Sequence, residues 1–159
     1  MGRPTLPVDM EKISIDDPDP SARTADVQAG LTGPLNLSDV AINYYELAPG
    51  DSMSGGLHTH MSQEEIFYVL EGTATFETPE ESVEVGADEA IRFAAGEYQE
   101  GKNEGDERVR ALALGAPRDQ GETRALFPCE NCGADYHEVD IGEASMTLVC
   151  PDCGHEIEM

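Results

Sequence analysis

Every cysteine in this chain stands in one of two matching knuckles, Cys129-Glu-Asn-Cys132-Gly133 and Cys150-Pro-Asp-Cys153-Gly154. The 17 residues between Cys132 and Cys150 fall in the range, roughly 15 to 20, at which two Cys-x-x-Cys pairs hold one zinc ion. A shell of four thiolates leaves no water position, which marks a structural site rather than a catalytic one. A segment of about 35 residues cannot bury enough apolar surface to fold unaided, and a bound metal supplies what the core lacks. The knuckles therefore predict a metal-folded module over residues 126–159 that needs no help from the preceding chain. Iron held by the same knuckles is one alternative and a disulfide pairing is another. A reducing compartment favours metal over disulfide.

Charge narrows the setting. The chain has 159 residues, with 9 basic and 33 acidic side chains and a net charge of −24. Self-repulsion of that size opposes a compact state. At molar salt the Debye length shrinks to about 3 Å and the repulsion is largely screened. The expectation is an extreme halophile with a high-salt cytoplasm. An acidic disordered chain is the alternative, but 39% of residues are hydrophobic and they fall in strand-like clusters. Nothing resembles a membrane span or a secretory leader, so the expected location is cytoplasmic with no membrane partner. After Arg124 no Lys or Arg occurs, while acidic residues run from Glu130 to Glu158. Nucleic-acid affinity rests on basic side chains that neutralise phosphates, so a nucleic-acid-linked regulator is disfavoured.

The hydrophobic clusters set the fold class. Residues 1–35 are rich in Pro and Gly and read as an irregular arm, with a loop at residues 16–20 and one strand near residues 26–31. Strands are expected at residues 40–47, 66–70, 73–78, 82–85, 90–93 and 108–114, with Gly or Pro between them. Residues 73–78 are expected to close a hairpin with 66–70. Short strands at intervals near ten residues suggest a sandwich or barrel. Phe67, Val69 and Phe76 are assigned to its core. Tyr44, Tyr45 and Tyr98 read as packing residues, and Arg92 as a surface ion-pair partner. Residues 117–123 are polar and read as linker.

Two of the four histidines stand at His58-Thr59-His60. Positions i and i+2 of a strand share a face, so the two imidazoles converge on one point. Glu64 and Glu65 follow, and either could supply a carboxylate. Such a donor set suits Zn, Fe, Mn, Ni or Cu with little to choose between them.

Residues 50–72 resemble the first motif of the cupin superfamily: Gly, a spacer, His-x-His, Glu, then six residues and Gly. The spacing from Glu65 to Gly72 makes Glu65 the ligand position. The seven-residue spacer between Gly50 and His58 is longer than the usual five. Residues 86–103 resemble the second motif, with Gly86, Gly96 and Asn103 in place. Ala94 stands where the family has proline, and Gln99 where it has a histidine ligand.

The resemblance implies a mainly β fold, a cupin-type double-stranded β-helix (jelly-roll barrel) over residues 36–116. A linker at 117–125 would join it to a zinc ribbon at 126–159, which the tail resembles. It implies a barrel metal (Zn, Fe, Mn or Ni) on His58, His60 and Glu65, completed by Gln99 or water. It also implies a small polar metabolite as ligand or substrate, and a homodimer. The ribbon would hold Zn at Cys129, Cys132, Cys150 and Cys153, for stability or for docking a protein partner. With that shell closed, His137 and His155 are expected at the surface. Alternatives remain at the barrel: a ligand-sensing pocket without metal, or another use of the histidines. If the protein is an enzyme, dioxygenase- or isomerase-like chemistry is implied, with catalytic residues unknown.

Overall fold

The computed structural model describes residues 9–18, 24–142 and 145–159. Among these the regular structure is entirely strand: β1 Val27–Gly30, β2 Ala41–Leu47, β3 His58–His60, β4 Glu64–Glu71, β5 Thr73–Glu77, β6 Ser82–Gly86, β7 Ala90–Phe93, β8 Glu100–Lys102, β9 Val109–Ala116, β10 Thr123–Ala125, β11 His137–Ile141, β12 Met146–Val149 and β13 Glu156–Glu158. The expected mainly β fold is present. Parts of the expected N-terminal arm, residues 1–8 and 19–23, lie outside the described residues, including the end of the loop expected at 16–20.

Among the described residues three antiparallel sheets form. The first runs β1-β2-β9-β4-β7, the second β6-β5-β8, and the third β13-β12-β11-β10-β3. In the centre of the first, β2 pairs with β9 from Ala41↔Gly115 to Leu47↔Val109. The alternation of β9 explains its place. Val109, Ala111 and Ala113 are buried, while the residues between them are half-buried. Leu47, Val69 and Ala111 from the first sheet meet Ala74, Phe76 and Val85 from the second in one core. Phe67, Phe76 and Phe93 fill its middle, with ring centroids 4.8 to 6.1 Å apart. Burying a side chain of this size contributes about 1.5–3 kcal/mol. The core assignment of Phe67, Val69 and Phe76 agrees with this.

Two expectations need correction. β5 does not pair with β4: it pairs with β6 and β8, while β4 pairs with β7 and β9. The connection at Gly72 turns a corner between sheets instead of closing a hairpin. Gly72 has φ of 76°, and a Cβ there would run into the Arg108 carbonyl. Only glycine fits so sharp a corner. The strand register also shifts between Val69 and Glu71, as a bulge at a sheet bend does.

The second correction concerns the segment read as linker. Residues 123–125 form β10, which pairs with β3 on one side and β11 on the other. Arg124 faces Thr59 across one ladder and Glu138 across the other. A three-residue strand carries too little pattern to be seen locally, and neighbours on both sides define it. The last strands of the chain thus continue a sheet that begins with the His58-Thr59-His60 segment.

Candidate metal centres

β3 is held on both edges. Its His58 N–H donates to the Gln99 carbonyl at 3.2 Å, and the Gln99 N–H returns to the His58 carbonyl at 3.0 Å. On its other edge lies β10. Glu65 comes from β4 and Gln99 from the turn before β8. The ligand atoms of His58, His60 and Glu65 lie within 4.8 Å of one another, so these three residues can hold a metal ion. His60 Nε2 is 3.7 Å from Glu65 Oε2, and Gln99 Nε2 donates to the same oxygen at 3.1 Å.

Both imidazoles have a fixed tautomer. His58 Nδ1 is 3.0 Å from the Gly56 carbonyl, which can only accept, so Nδ1 carries the proton and Nε2 keeps its lone pair. His60 Nδ1 is 3.0 Å from Thr123 Oγ1. That hydroxyl donates to Gln120 Oε1 at 3.4 Å, so it accepts from His60 Nδ1–H. His60 Nε2 then points its lone pair toward Glu65.

Charge at the site follows from burial. Desolvation presses His60 down to about 4, with His58 beside it adding to the effect. His58 is lowered too, by burial first, against the Gly56 carbonyl and the charge of Glu100. Burial pushes Glu65 up to about 7, against the hydrogen bond from Gln99. Near neutral pH both imidazoles are therefore uncharged, as ligation requires, and Glu65 is poised to lose its proton to an arriving cation.

Gln99 bears on whether the site suits a cation. It is 2% exposed, and its Nε2 is used by Glu65 while its buried Oε1 has no partner among the described residues. A buried amide oxygen without a donor costs free energy that a cation would relieve. With Oε1 added, the donor set is two imidazole nitrogens, a carboxylate and an amide oxygen, a set that fits a divalent transition metal. Beside it a cavity of about 10 Å³ is bounded by Thr59, His60, Gln63, Glu65, Phe93, Ala94, Glu97 and Gln99. That is room for one water or ion.

Several neighbours are structural. Glu64 lies on the outer side of β4, with Arg92 Nε donating to its Oε2 at 2.9 Å. This matches the surface pairing expected for Arg92. Asn103 is 1% exposed and donates to the Leu47 and Glu107 carbonyls at 3.0 and 2.7 Å. It ties the loop before β9 to the end of β2. Of the tyrosines, Tyr44 and Tyr45 are buried while Tyr98 is partly exposed.

At the second centre the four cysteine sulfurs also lie within 4.8 Å of one another. Cys129 and Cys153 Sγ are 3.7 Å apart, and Cys132 and Cys150 Sγ 3.5 Å. Thiolates around a tetrahedral metal at about 2.3 Å stand roughly 3.8 Å apart, whereas a disulfide needs about 2.05 Å. In each knuckle the glycine takes positive φ, 80° at Gly133 and 73° at Gly154. Its N–H reaches the carbonyl of the first cysteine at 2.8 and 2.9 Å. Asn131 Nδ2 donates to Cys153 Sγ at 3.3 Å and holds that thiol down to about 6.

His155 is exposed, as expected. His137 is not a surface residue: it is 0% exposed, because β11 lies between β10 and β12. Its Nδ1 donates to the Phe127 carbonyl at 2.6 Å, and its Nε2 has no partner among the described residues. Sequence reasoning missed it because a closed sulfur shell left it no role, while its burial comes from sheet pairing. Thr123 was also missed. A lone threonine in a polar stretch gives no local sign that a histidine 63 residues away leans on it.

Fold and site together define a cupin-type β-barrel with a His/His/Glu cluster able to hold a metal. Residues 43–115 match the family model of the cupin domain. Among solved structures, the polyketide cyclase RemF from Streptomyces resistomycificus is 25% identical, with 76% of this chain and 88% of that one covered and a TM-score of 0.62. A sugar phosphate isomerase from a cupin superfamily, from Silicibacter pomeroyi, is 18% identical, with 93% and 91% covered and a TM-score of 0.60. At that identity the likeness shows the fold. A predicted oxalate decarboxylase from Thermotoga maritima is 26% identical, with 57% and 79% covered and a TM-score of 0.51. Among curated proteins no match is found.

Proposed function

We propose that the barrel holds one divalent transition metal (Zn, Fe, Mn or Ni) on His58, His60, Glu65 and Gln99 Oε1, and binds or transforms a small polar metabolite there. The observation that carries this reading is the convergence of the His58, His60 and Glu65 ligand atoms, with a buried Gln99 Oε1 that has no partner among the described residues. The metal would supply Lewis-acid polarisation of a substrate oxygen or a site for dioxygen. The chain's own residues do the rest. Gly56 and Thr123 hold the imidazoles in one tautomer. Gln99 Nε2 fixes the Glu65 carboxylate, and Phe93 helps keep the cavity apolar on one side. The likeness to a polyketide cyclase and to a predicted oxalate decarboxylase supports an oxygen-bearing substrate.

The four cysteines, in this proposal, hold a structural zinc in a ribbon that stabilises the chain or docks a protein partner. A homodimer, a cytoplasmic location and a high-salt setting belong to the same reading.

The alternative is a non-catalytic sensing barrel without metal, and either reading needs the site to open. The cavity of about 10 Å³ is far below the 300 Å³ or so of a typical ligand pocket, so a metabolite needs Gln63 or Glu97 to move aside.

Metal analysis of protein purified without added metal separates the two. The metal-binding reading expects two equivalents per chain, one of which disappears in His58→Ala while the other stays. One zinc per chain and nothing else would sink it.

A further inference from the structure

The two centres share a sheet. From β3 the ladder passes through β10 to β11, β12 and β13 without a break. One row of that sheet runs His58, Ala125, His137. Further bonds join β3 and its flanks to the segment around β10: Leu126 N–H to the Leu57 carbonyl at 2.9 Å, Met61 N–H to Glu122 at 2.8 Å, and Ser62 N–H to Gln120 at 3.2 Å.

β10 has three residues, all half-buried. So short a strand has no stability of its own and keeps its place through its two neighbours. One neighbour, β11, lies between the knuckles, with Cys129 before it and Cys150 after β12. Its hold depends on the four sulfurs being drawn together, since a module this small lacks a sufficient core. The other neighbour carries His58 and His60. The side chain that joins the two is Thr123, which stands on β10 and accepts from His60 Nδ1–H. Hydrogen bonds from an outer partner to a ligating histidine orient the ring and raise its basicity.

We propose that the four-cysteine site and the barrel site are energetically coupled through this sheet, with Thr123 as the positioning residue that carries the coupling to His60. Closing the cysteine site fixes β11, β11 fixes β10, and β10 presents the Thr123 hydroxyl where His60 needs it. Opening the cysteine site removes one edge of β10 and loosens the hydroxyl. By linkage the effect is reciprocal: metal in the barrel tightens the cysteine site by the same factor. The inference rests on the reading that the barrel binds metal.

Co(II) titrated into the metal-free, full-length chain tests it, because thiolate-to-cobalt absorption marks only the cysteine site. In Thr123→Val the barrel affinity should fall about 10–100-fold with the thiolate signal unchanged, and Thr123→Ser should restore it. In a Cys129→Ser, Cys132→Ser double variant the barrel affinity should also fall, by about tenfold or more. The reciprocal measurement needs no substitution. Unmodified chain with a loaded barrel should yield its cysteine-bound Co(II) to a chelator about tenfold less readily than chain with an empty barrel.

Barrel affinity indifferent to the cysteine site, or a Thr123→Val loss without a matching loss in the cysteine variant, overturns the coupling. A wild-type chain that takes up one equivalent, with the thiolate signature alone, overturns the barrel-metal reading as well. Two equivalents with mutually independent affinities overturn the coupling only.

Discussion

The four-cysteine cluster and the His58–His60–Glu65 cluster are both sized for one ion, yet they are assembled from opposite materials. The first draws its ligands from two knuckles at one end of the chain, and two of its sulfurs, those of Cys132 and Cys153, are on exposed residues. The second draws its groups from β3, β4 and the turn before β8, and desolvation shifts all three titratable ligands. The difference teaches where each site's strength comes from. Near the cysteines, in the proposed reading, an ion would supply the stability and the chain would fold around it. In the barrel the core supplies the stability, and an ion, in the same reading, would relieve buried polar groups the fold has already placed.

The contrast can be attacked first at the cysteines, where the effect should be largest. Structural zinc in small modules is worth about 10–16 kcal/mol of binding free energy. Cys129→Ser should release that equivalent, and hydrogen exchange should show protection lost over residues 123–159 and weakened at 57–62. Protection in β2, β4 and β9 should persist. Loss of protection throughout the chain would mean that the barrel does not stand on its own core.

Phe76→Ala attacks the other side. Phe76 is fully buried against Phe67 and Phe93, and truncation should cost about 3–5 kcal/mol in denaturant unfolding. The cysteine site should keep its metal. Release of both metals in the folded variant would erase the distinction.

A pH series sharpens it further. Glu65 sits at about 7 in the metal-free chain, raised from 4.5 by burial, so below that pH an incoming ion must displace its proton. Burial holds His60 down to about 4 and lowers His58 as well, so the imidazoles compete less for protons than Glu65 does. Barrel affinity, followed by calorimetry, should fall about tenfold per unit as pH drops below 7, and flatten above it. A flat profile from pH 5 to 8 would remove Glu65 from the shell.

The smallest expected effect lies one residue away. Glu64 and Arg92 form a well-exposed pair, and such pairs contribute about 0–1 kcal/mol. Glu64→Gln should change unfolding free energy by about 0.5 kcal/mol or less and leave metal content intact. Glu65→Gln should abolish barrel loading. Equal effects from the two changes would show that the motif spacing chose the wrong carboxylate.

Much of this was legible in particular residues. The strand-like runs at 40–47, 66–70 and 108–114 became β2, β4 and β9, because alternation and β-branched or aromatic content fix which face is buried. His58 and His60 share a face for the same reason of period. What could not be read was pairing. Gly72 looked like a hairpin turn because glycine marks a bend without saying into which sheet the chain goes. Residues 123–125 looked like linker because their order comes from β3 and β11 rather than from themselves. His137 looked exposed because its burial is set by the strands on either side of β11.

The sequence by itself determined the local chemistry: which thiols stand in knuckles, which imidazoles converge, and which apolar runs alternate. These depend on spacings of two to about twenty residues, over which backbone geometry leaves few choices. The tertiary structure alone decided that β3 pairs with β10, that Gln99 turns its amide nitrogen to Glu65 and buries its oxygen, and that Thr123 orients His60 from 63 residues away. Such contacts are fixed by the burial and hydrogen-bonding needs of the whole chain, and no single segment encodes them.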